Sequence, residues 1–261
     1  MRLAANLSLM YTEWPFEERV AAAAQDGFEA VECMFPYASE AGRLKALAAQ
    51  HGLQWVLINA PCGNWDLGDR GLACFADRQD EFRDAIHLAA HYAHTLGAPC
   101  VHVLAGALPP HADASAHSEA WRAYQTNMAW VADTMAHLPI TWLVEPINSR
   151  DVPGYLVNTQ AQAHALVEQL NRPNLGVQMD LYHCQIVEGD VVRKLECYMP
   201  SGRVKHIQIA GVPERHEPNR SELSYPRVFE CLSALGYRGY IGCEYRPQAG
   251  TREGLGWRRM C

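Results

Sequence analysis

The sequence predicts an α/β chain closed into a single (β/α)8 TIM barrel, and three observations lead there. Eight short apolar runs, at 3–10, 28–35, 53–60, 99–105, 141–147, 175–181, 204–210 and 240–245, recur through the 261 residues. Amphipathic stretches of helical period separate them, so each run with its helix occupies about 30 residues, the size of a βα unit. No linker or low-complexity segment interrupts the rhythm, and residues 1–261 read as one domain. Strands that alternate with helices form a parallel sheet, because parallel neighbours need crossovers. Eight such units favour a closed barrel with its active site at the C-terminal strand ends. The competing arrangement, an open doubly wound sheet, usually carries a Gly-rich phosphate loop after the first strand. Here that position reads Ser8-Leu9-Met10-Tyr11-Thr12-Glu13, without a glycine.

Each element has its own signal. Pro15 suits the first turn of the first helix, where an N–H would be unpaired in any case. Gly27, Gly52, Gly97 and Gly236 stand just before strand runs, where glycine closes a helix in the left-handed conformation. In the third helix Phe82, Ile86, Ala89, Ala93 and Leu96 share one face. His87, His91 and His94 share another face of that helix, outside the barrel, and read as a solvated surface. The longest irregular stretch, 61–77, contains Cys62-Gly63-Asn64-Trp65-Asp66-Leu67-Gly68-Asp69-Arg70-Gly71 after the third strand and is a lid candidate. Ser118 with Glu119 marks the expected start of the fourth helix, whose apolar face is Tyr124, Met128, Val131, Met135 and Leu138. Asn158-Thr159 opens the fifth.

Composition narrows the function. Lys+Arg is 22 against Asp+Glu 29, a formal charge of -7, and Lys45, Lys194 and Lys205 are the only lysines. No basic stripe is present, which disfavours nucleic acid and anionic membranes as partners. No apolar run approaches the roughly 20 residues of a membrane helix. The start, Met1-Arg2-Leu3-Ala4-Ala5-Asn6, lacks the apolar core of a signal peptide. The nine cysteines include no CxxC pair, and Cys33, Cys100 and Cys243 sit inside strand runs. They read as buried thiols of a reducing, cytoplasmic compartment.

Strands buried on both faces should be continuously apolar, and four of these runs are not. Glu145 follows Trp142-Leu143-Val144, Asp180 follows Gly176-Val177-Gln178-Met179, Gln208 interrupts His206-Ile207-Gln208-Ile209, and Glu244 follows Tyr240-Ile241-Gly242-Cys243. In a closed barrel these four lie on adjacent strands near the mouth. Three carboxylates converging in low dielectric repel one another. A divalent cation neutralises them, and oxygen ligation suits Mg²⁺ or Mn²⁺ better than Zn²⁺. His183, where the sixth strand should end, is a candidate substrate donor. His206 shares the parity of Gln208 one layer deeper. Arg215, in the loop after the seventh strand, is a candidate fork for a substrate carboxylate.

At these strand ends the sequence resembles the hydroxypyruvate isomerase family within the xylose-isomerase-like barrels. The segments that carry it include Ala5-Asn6-Leu7-Ser8, Glu32-Cys33-Met34-Phe35-Pro36-Tyr37, Gly68-Asp69-Arg70-Gly71, Val144-Glu145-Pro146-Ile147-Asn148, Asp180-Leu181-Tyr182-His183, His206-Ile207-Gln208-Ile209-Ala210 and Gly242-Cys243-Glu244-Tyr245. The resemblance implies a metal held by Glu145, Asp180, Gln208 and Glu244, with Glu145 and Glu244 as the proton-transfer pair. It implies an aldose–ketose isomerase of small hydroxy-oxo acids, converting hydroxypyruvate and 2-hydroxy-3-oxopropanoate through an enediolate; the residues expected at the substrate, from their own positions, are His183, His206 and Arg215. No nicotinamide is needed, since the redox change is internal. The alternatives are a 2-oxo-tetronate isomerase, towards which 210–218 leans, and a ketose 3-epimerase. An endonuclease IV-type phosphodiesterase would bring zinc-binding histidines and a basic groove, and a non-catalytic sugar-acid binder is the third class. The sequence leaves homo-oligomer formation open.

Overall fold

The computed structural model describes residues 1–261. Eight parallel strands, β1 (Arg2–Asn6), β2 (Ala30–Cys33), β3 (Gln54–Asn59), β4 (Cys100–His102), β5 (Thr141–Val144), β6 (Leu175–Asp180), β7 (Val204–Ile209) and β8 (Tyr240–Cys243), follow chain order around a closed barrel. Arg2 to Ala5 of β1 pair with Tyr240 to Cys243 of β8 and complete the ring. Most strands stop before the apolar runs do. After β1, for instance, the Asn6 carbonyl accepts from the Met10 N–H at 2.8 Å, turning the chain off the barrel while Leu7 and Met10 stay buried.

The helices α1 (Phe16–Gln25), α2 (Ala41–Gln50), α3 (Gln79–Leu96), α4 (Ala114–Thr134), α5 (Gln160–Leu170), α6 (Leu181–Val187), α7 (Val191–Tyr198), α8 (Tyr225–Ala234) and α9 (Thr251–Gly254) complete the chain. The expected face of α3 is buried, and His87, His91 and His94 are exposed. Gly27, Gly52, Gly97 and Gly236 have φ of 76°, 68°, 74° and 73°, the left-handed region anticipated for them. Thr159 and Gln162 form a reciprocal capping box at α5.

Two local expectations are corrected. Helix α4 begins at Ala114, not near Ser118: Asp113 accepts from the Ala116 N–H at 2.8 Å and is the cap. The Ser118 hydroxyl instead donates back to the Ala114 carbonyl at 2.8 Å, inside the helix. His183 does not extend β6. Asp180 ends the strand and caps α6, its Oδ1 accepting from the Tyr182 N–H at 2.8 Å, so His183 sits in the first helical turn.

Register stacks the inner residues of the later strands. Gln178 pairs with His206, Asp180 with Gln208, and Gln208 with Gly242. Gly242 faces the Glu32 side chain, and a Cβ there would overlap both Glu32 carboxylate oxygens. A glycine in β8 thereby makes room for a charged side chain from β2. All nine cysteines are free, with Cys33, Cys100 and Cys243 buried. No helix is long and apolar enough to cross a membrane.

Candidate active site

The ends of β1, β2, β4, β5, β6, β7 and β8 place Asn6, Glu32, His102, Glu145, Asp180, Gln208 and Glu244 at the C-terminal end of the barrel, all buried. Glu145, Asp180 and His183 form one cluster, each offering one ligand-type atom within 4.8 Å of the others. Glu145 Oε1 and Asp180 Oδ2 have no hydrogen-bond partner. Buried unpaired carboxylate oxygens are costly and draw either protons or a cation.

Protonation follows that logic. Burial pushes Glu145 well above the usual carboxylate range, and repulsion from Glu244 and Asp180 adds to it. Burial raises Asp180 to about 6 and Glu244 to about 7, with Arg215 opposing both. Arg215 is itself held above its ordinary value: burial disfavours its charge, but Glu244, Asp180 and Glu145 outweigh that. His102 Nδ1 lies 3.1 Å from Glu145 Oε2 without hydrogen-bond alignment, and burial lowers the ring to about 3, so it is neutral at physiological pH.

Other side chains fix orientations. The Asp151 N–H donates to Asn148 Oδ1 at 2.8 Å, which turns the Asn148 amide nitrogen toward His183 Nδ1 at 2.6 Å. His183 Nδ1 is therefore an acceptor and Nε2 carries the proton, facing Asp180 Oδ2 at 3.6 Å. Burial drives this ring well below its ordinary value, so it is a neutral donor. That tautomer suits donation to a substrate oxygen better than metal ligation. Glu32 Oε1 accepts from Gln208 Nε2 at 2.7 Å and from Asn6 Nδ2 at 2.9 Å, and Asn6 also reaches Glu244 Oε1 at 3.1 Å. Pinning the Gln208 nitrogen presents its oxygen on the other side, where Gln178 Nε2 donates to it at 2.6 Å.

The residues singled out in the sequence thus have distinct placements. Glu145, Glu244, His183 and Arg215 line one cavity of about 70 Å³; Asp180 does not line it but lies 3.7 Å from Arg215. Gln208 and His206 do not line it. His206 Nε2 is bound to Glu32 Oε2 at 2.7 Å, one layer down, because β7 places it opposite Gln178. Arg215, at φ 60°, donates to Glu244 Oε2 at 2.5 Å and lies 3.7 Å from Asp151 Oδ2, so protein carboxylates already occupy it. Glu32, Asn6, His102 and Asn148 carry site geometry that the sequence reading gave them no part in. Glu32 and His102 carry the same signal as Glu145, a polar side chain in an apolar strand. A larger groove of about 390 Å³, near Lys45, Trp55 and Tyr240, has no carboxylate or histidine and offers no comparable chemistry.

The donor set fits a divalent cation. Three buried carboxylates, Glu145, Asp180 and Glu244, share one partly buried guanidinium, Arg215, and two of their oxygens are unpaired. A cation resolves both the charge imbalance and the orphaned oxygens.

Known proteins share this frame. Residues 20–261 match the xylose isomerase-like TIM barrel family. The chain is 50% identical over 256 residues to a 2-oxo-tetronate isomerase of Cupriavidus necator, covering 98% of this chain and 96% of that one. It is 37% identical to the hydroxypyruvate isomerase of Escherichia coli K12, covering 98% of each. A crystal structure described as an AP endonuclease, family 2, from Brucella melitensis superposes with a TM-score of 0.94 at 44% identity, over 99% of this chain and 98% of that one. The chain belongs to the hydroxypyruvate isomerase and 2-oxo-tetronate isomerase family of xylose isomerase-like TIM barrels.

Proposed function

We propose that this isomerase interconverts hydroxypyruvate and 2-hydroxy-3-oxopropanoate, with Glu145 and Glu244 as the proton-transfer pair. One observation carries the reading: two buried glutamates with raised pKa values line the same small cavity, beside a neutral histidine donor. Repulsion between them separates their ionisations, so near neutral pH the pair supplies a base and an acid together. The ionised glutamate removes a proton from C3 of hydroxypyruvate, generating an enediolate. The protonated one delivers a proton to C2, and the hydroxyl proton passes from the C3 oxygen to the C2 oxygen, so that carbonyl and hydroxyl exchange places. Atoms and electrons balance without a nicotinamide. His183 Nε2–H donates to a substrate oxygen, and Arg215 holds Glu244 in place. His206 acts through Glu32 and is not assigned a substrate contact.

Glu145, Asp180, Gln208 and Glu244 would hold Mg²⁺ or Mn²⁺, which supplies electrostatic stabilisation of negative charge developing on the substrate oxygens. Glu145 and Asp180 offer free oxygens, whereas Gln208 Oε1 is taken by Gln178 and Glu244 Oε2 by Arg215.

A second reading, 2-oxo-tetronate isomerisation, is favoured by the 50% identity to the Cupriavidus necator enzyme against 37% to the Escherichia coli one. The proton chemistry is the same on a substrate one carbon longer. An assay with Mn²⁺ or Mg²⁺ comparing hydroxypyruvate with 2-oxo-tetronates, read by NMR in D₂O, decides between them. Conversion of hydroxypyruvate with solvent deuterium at the reacting carbon supports the main reading. Turnover of 2-oxo-tetronates alone supports the second, and no turnover of either removes both.

A further inference from the structure

The cavity has two ends of different charge. Glu145, Asp180 and Glu244 come from β5, β6 and β8, and Arg215 is spent among them. On the arc after β3 lies a second guanidinium, Arg70, which also lines the cavity and has no carboxylate partner. Its neighbour Asp69 is taken by Arg78 through two hydrogen bonds of 2.8 and 2.9 Å.

The loop holds the Arg70 side chain still. Its carbon Cζ lies 3.7 Å over the Trp65 ring, and that ring packs 5.8 Å from Phe35. Nη1 donates to the Trp65 carbonyl at 3.1 Å and the Asp69 carbonyl at 2.7 Å. A stacked face and one bound nitrogen fix the plane of the guanidinium. The edge formed by Nε–H and Nη2–H makes no hydrogen bond within the chain. That edge is the one that takes a carboxylate through two parallel bonds.

We infer that Arg70 binds the carboxylate of the substrate, and so makes the site select acids over neutral sugars. The inference rests on the hydroxy-oxo-acid reading above and adds the residue that recognises the acid. Carbonyl and hydroxyl oxygens face the glutamate end and the anionic group faces Arg70, so the substrate is oriented by charge at both ends.

The experiment is a calorimetric titration of the metal-loaded protein with glycerate, an acid that has no oxo group to isomerise, on wild type, Arg70→Met and Arg70→Lys. Steady-state kinetics on hydroxypyruvate accompany it. Arg70→Met weakens glycerate binding about 100-fold and raises KM in proportion, with kcat within about threefold, since the contact is shared by ground and transition states. Arg70→Lys, which keeps the charge and loses the fork, weakens binding about 10-fold. Unchanged glycerate affinity in Arg70→Met, no glycerate binding by wild type, or a fall in kcat with KM unchanged each overturns the assignment. If glycerate binds through Arg70 while neither hydroxypyruvate nor 2-oxo-tetronates turn over, the proposed reaction fails and the Arg70 assignment stands.

Discussion

Glu32 anchors the site from below, and its replacement tests that role quantitatively. Its carboxylate accepts from Asn6 at 2.9 Å, Gln208 at 2.7 Å and His206 at 2.7 Å, with no exposed surface. Hydrogen bonds to a charged group contribute about 1.5–3 kcal/mol each, and a buried donor left without a partner costs about 1–3 kcal/mol. In Glu32→Gln the amide oxygen can keep Asn6 and Gln208 while the amide nitrogen faces His206, which accepts if its proton moves to Nδ1. All partners are then satisfied and only the charge assistance is lost, about 2 kcal/mol in total. In Glu32→Ala three donors are orphaned beside a void, about 4 kcal/mol or more. For a chain of this length each kcal/mol lowers Tm by about 2 °C, giving about 4 °C for Gln and 8 °C for Ala. Thermal denaturation followed by circular dichroism reads the difference. Turnover separates positioning from stability: Gln208 keeps its orientation in Glu32→Gln and loses it in Glu32→Ala, so kcat falls at least tenfold further in Ala at a temperature where both are folded. Equal Tm values for the two variants, or an Ala variant as active as Gln, would refute the anchoring argument.

Further outcomes follow from the same geometry. Glu145→Gln keeps the shape of the side chain and removes one member of the proton-transfer pair, so turnover falls about 10³-fold or more while the circular dichroism spectrum is unchanged; conversion of hydroxypyruvate followed by NMR measures it, and retained turnover contradicts the Glu145 role. Chelation abolishes isomerisation and Mn²⁺ or Mg²⁺ restores it, with a rise in Tm on ion addition that Asp180→Asn diminishes. His164 packs 4.0 Å from the Tyr198 ring, and burial, helped by Arg203, lowers it to about 4. A histidine depressed in the folded state contributes stability above its unfolded value near 6.5 and loses it as pH falls toward 4. Wild type therefore loses about 1–2 kcal/mol relative to His164→Phe between pH 7.5 and pH 5, measured by urea denaturation at both pH values. Gly242→Ala drives a methyl group into the Glu32 carboxylate and lowers stability by about 2 kcal/mol or more, read as a shifted urea midpoint.

The division between what the sequence revealed and what it concealed has a physical basis. Strand and helix positions were legible because burial enforces periodicity, and the glycine stops because a left-handed backbone excludes most side chains. Glu145, Asp180 and Glu244 were legible because a charge in a buried strand demands compensation. What compensates it depends on side-chain direction across the barrel, which no local pattern encodes. Glu32 and His206 lie 174 positions apart in sequence and meet through the barrel centre, and Gly242 admits Glu32 only because β8 closes on β1 and so reaches the side chain from β2. Arg215 and Arg70 show the same limit. Both sit in loops after strands, and the sequence singled out only Arg215 as a fork for an anion. Only the closed barrel reveals that Arg215 meets Glu244 and Asp180 while Arg70 has its acidic neighbour removed by Arg78. Chemistry at this barrel mouth is therefore set less by which charged residues are present than by which of them the fold leaves unpaired. In this chain those are an oxygen on each of Glu145 and Asp180 at one end and one edge of Arg70 at the other.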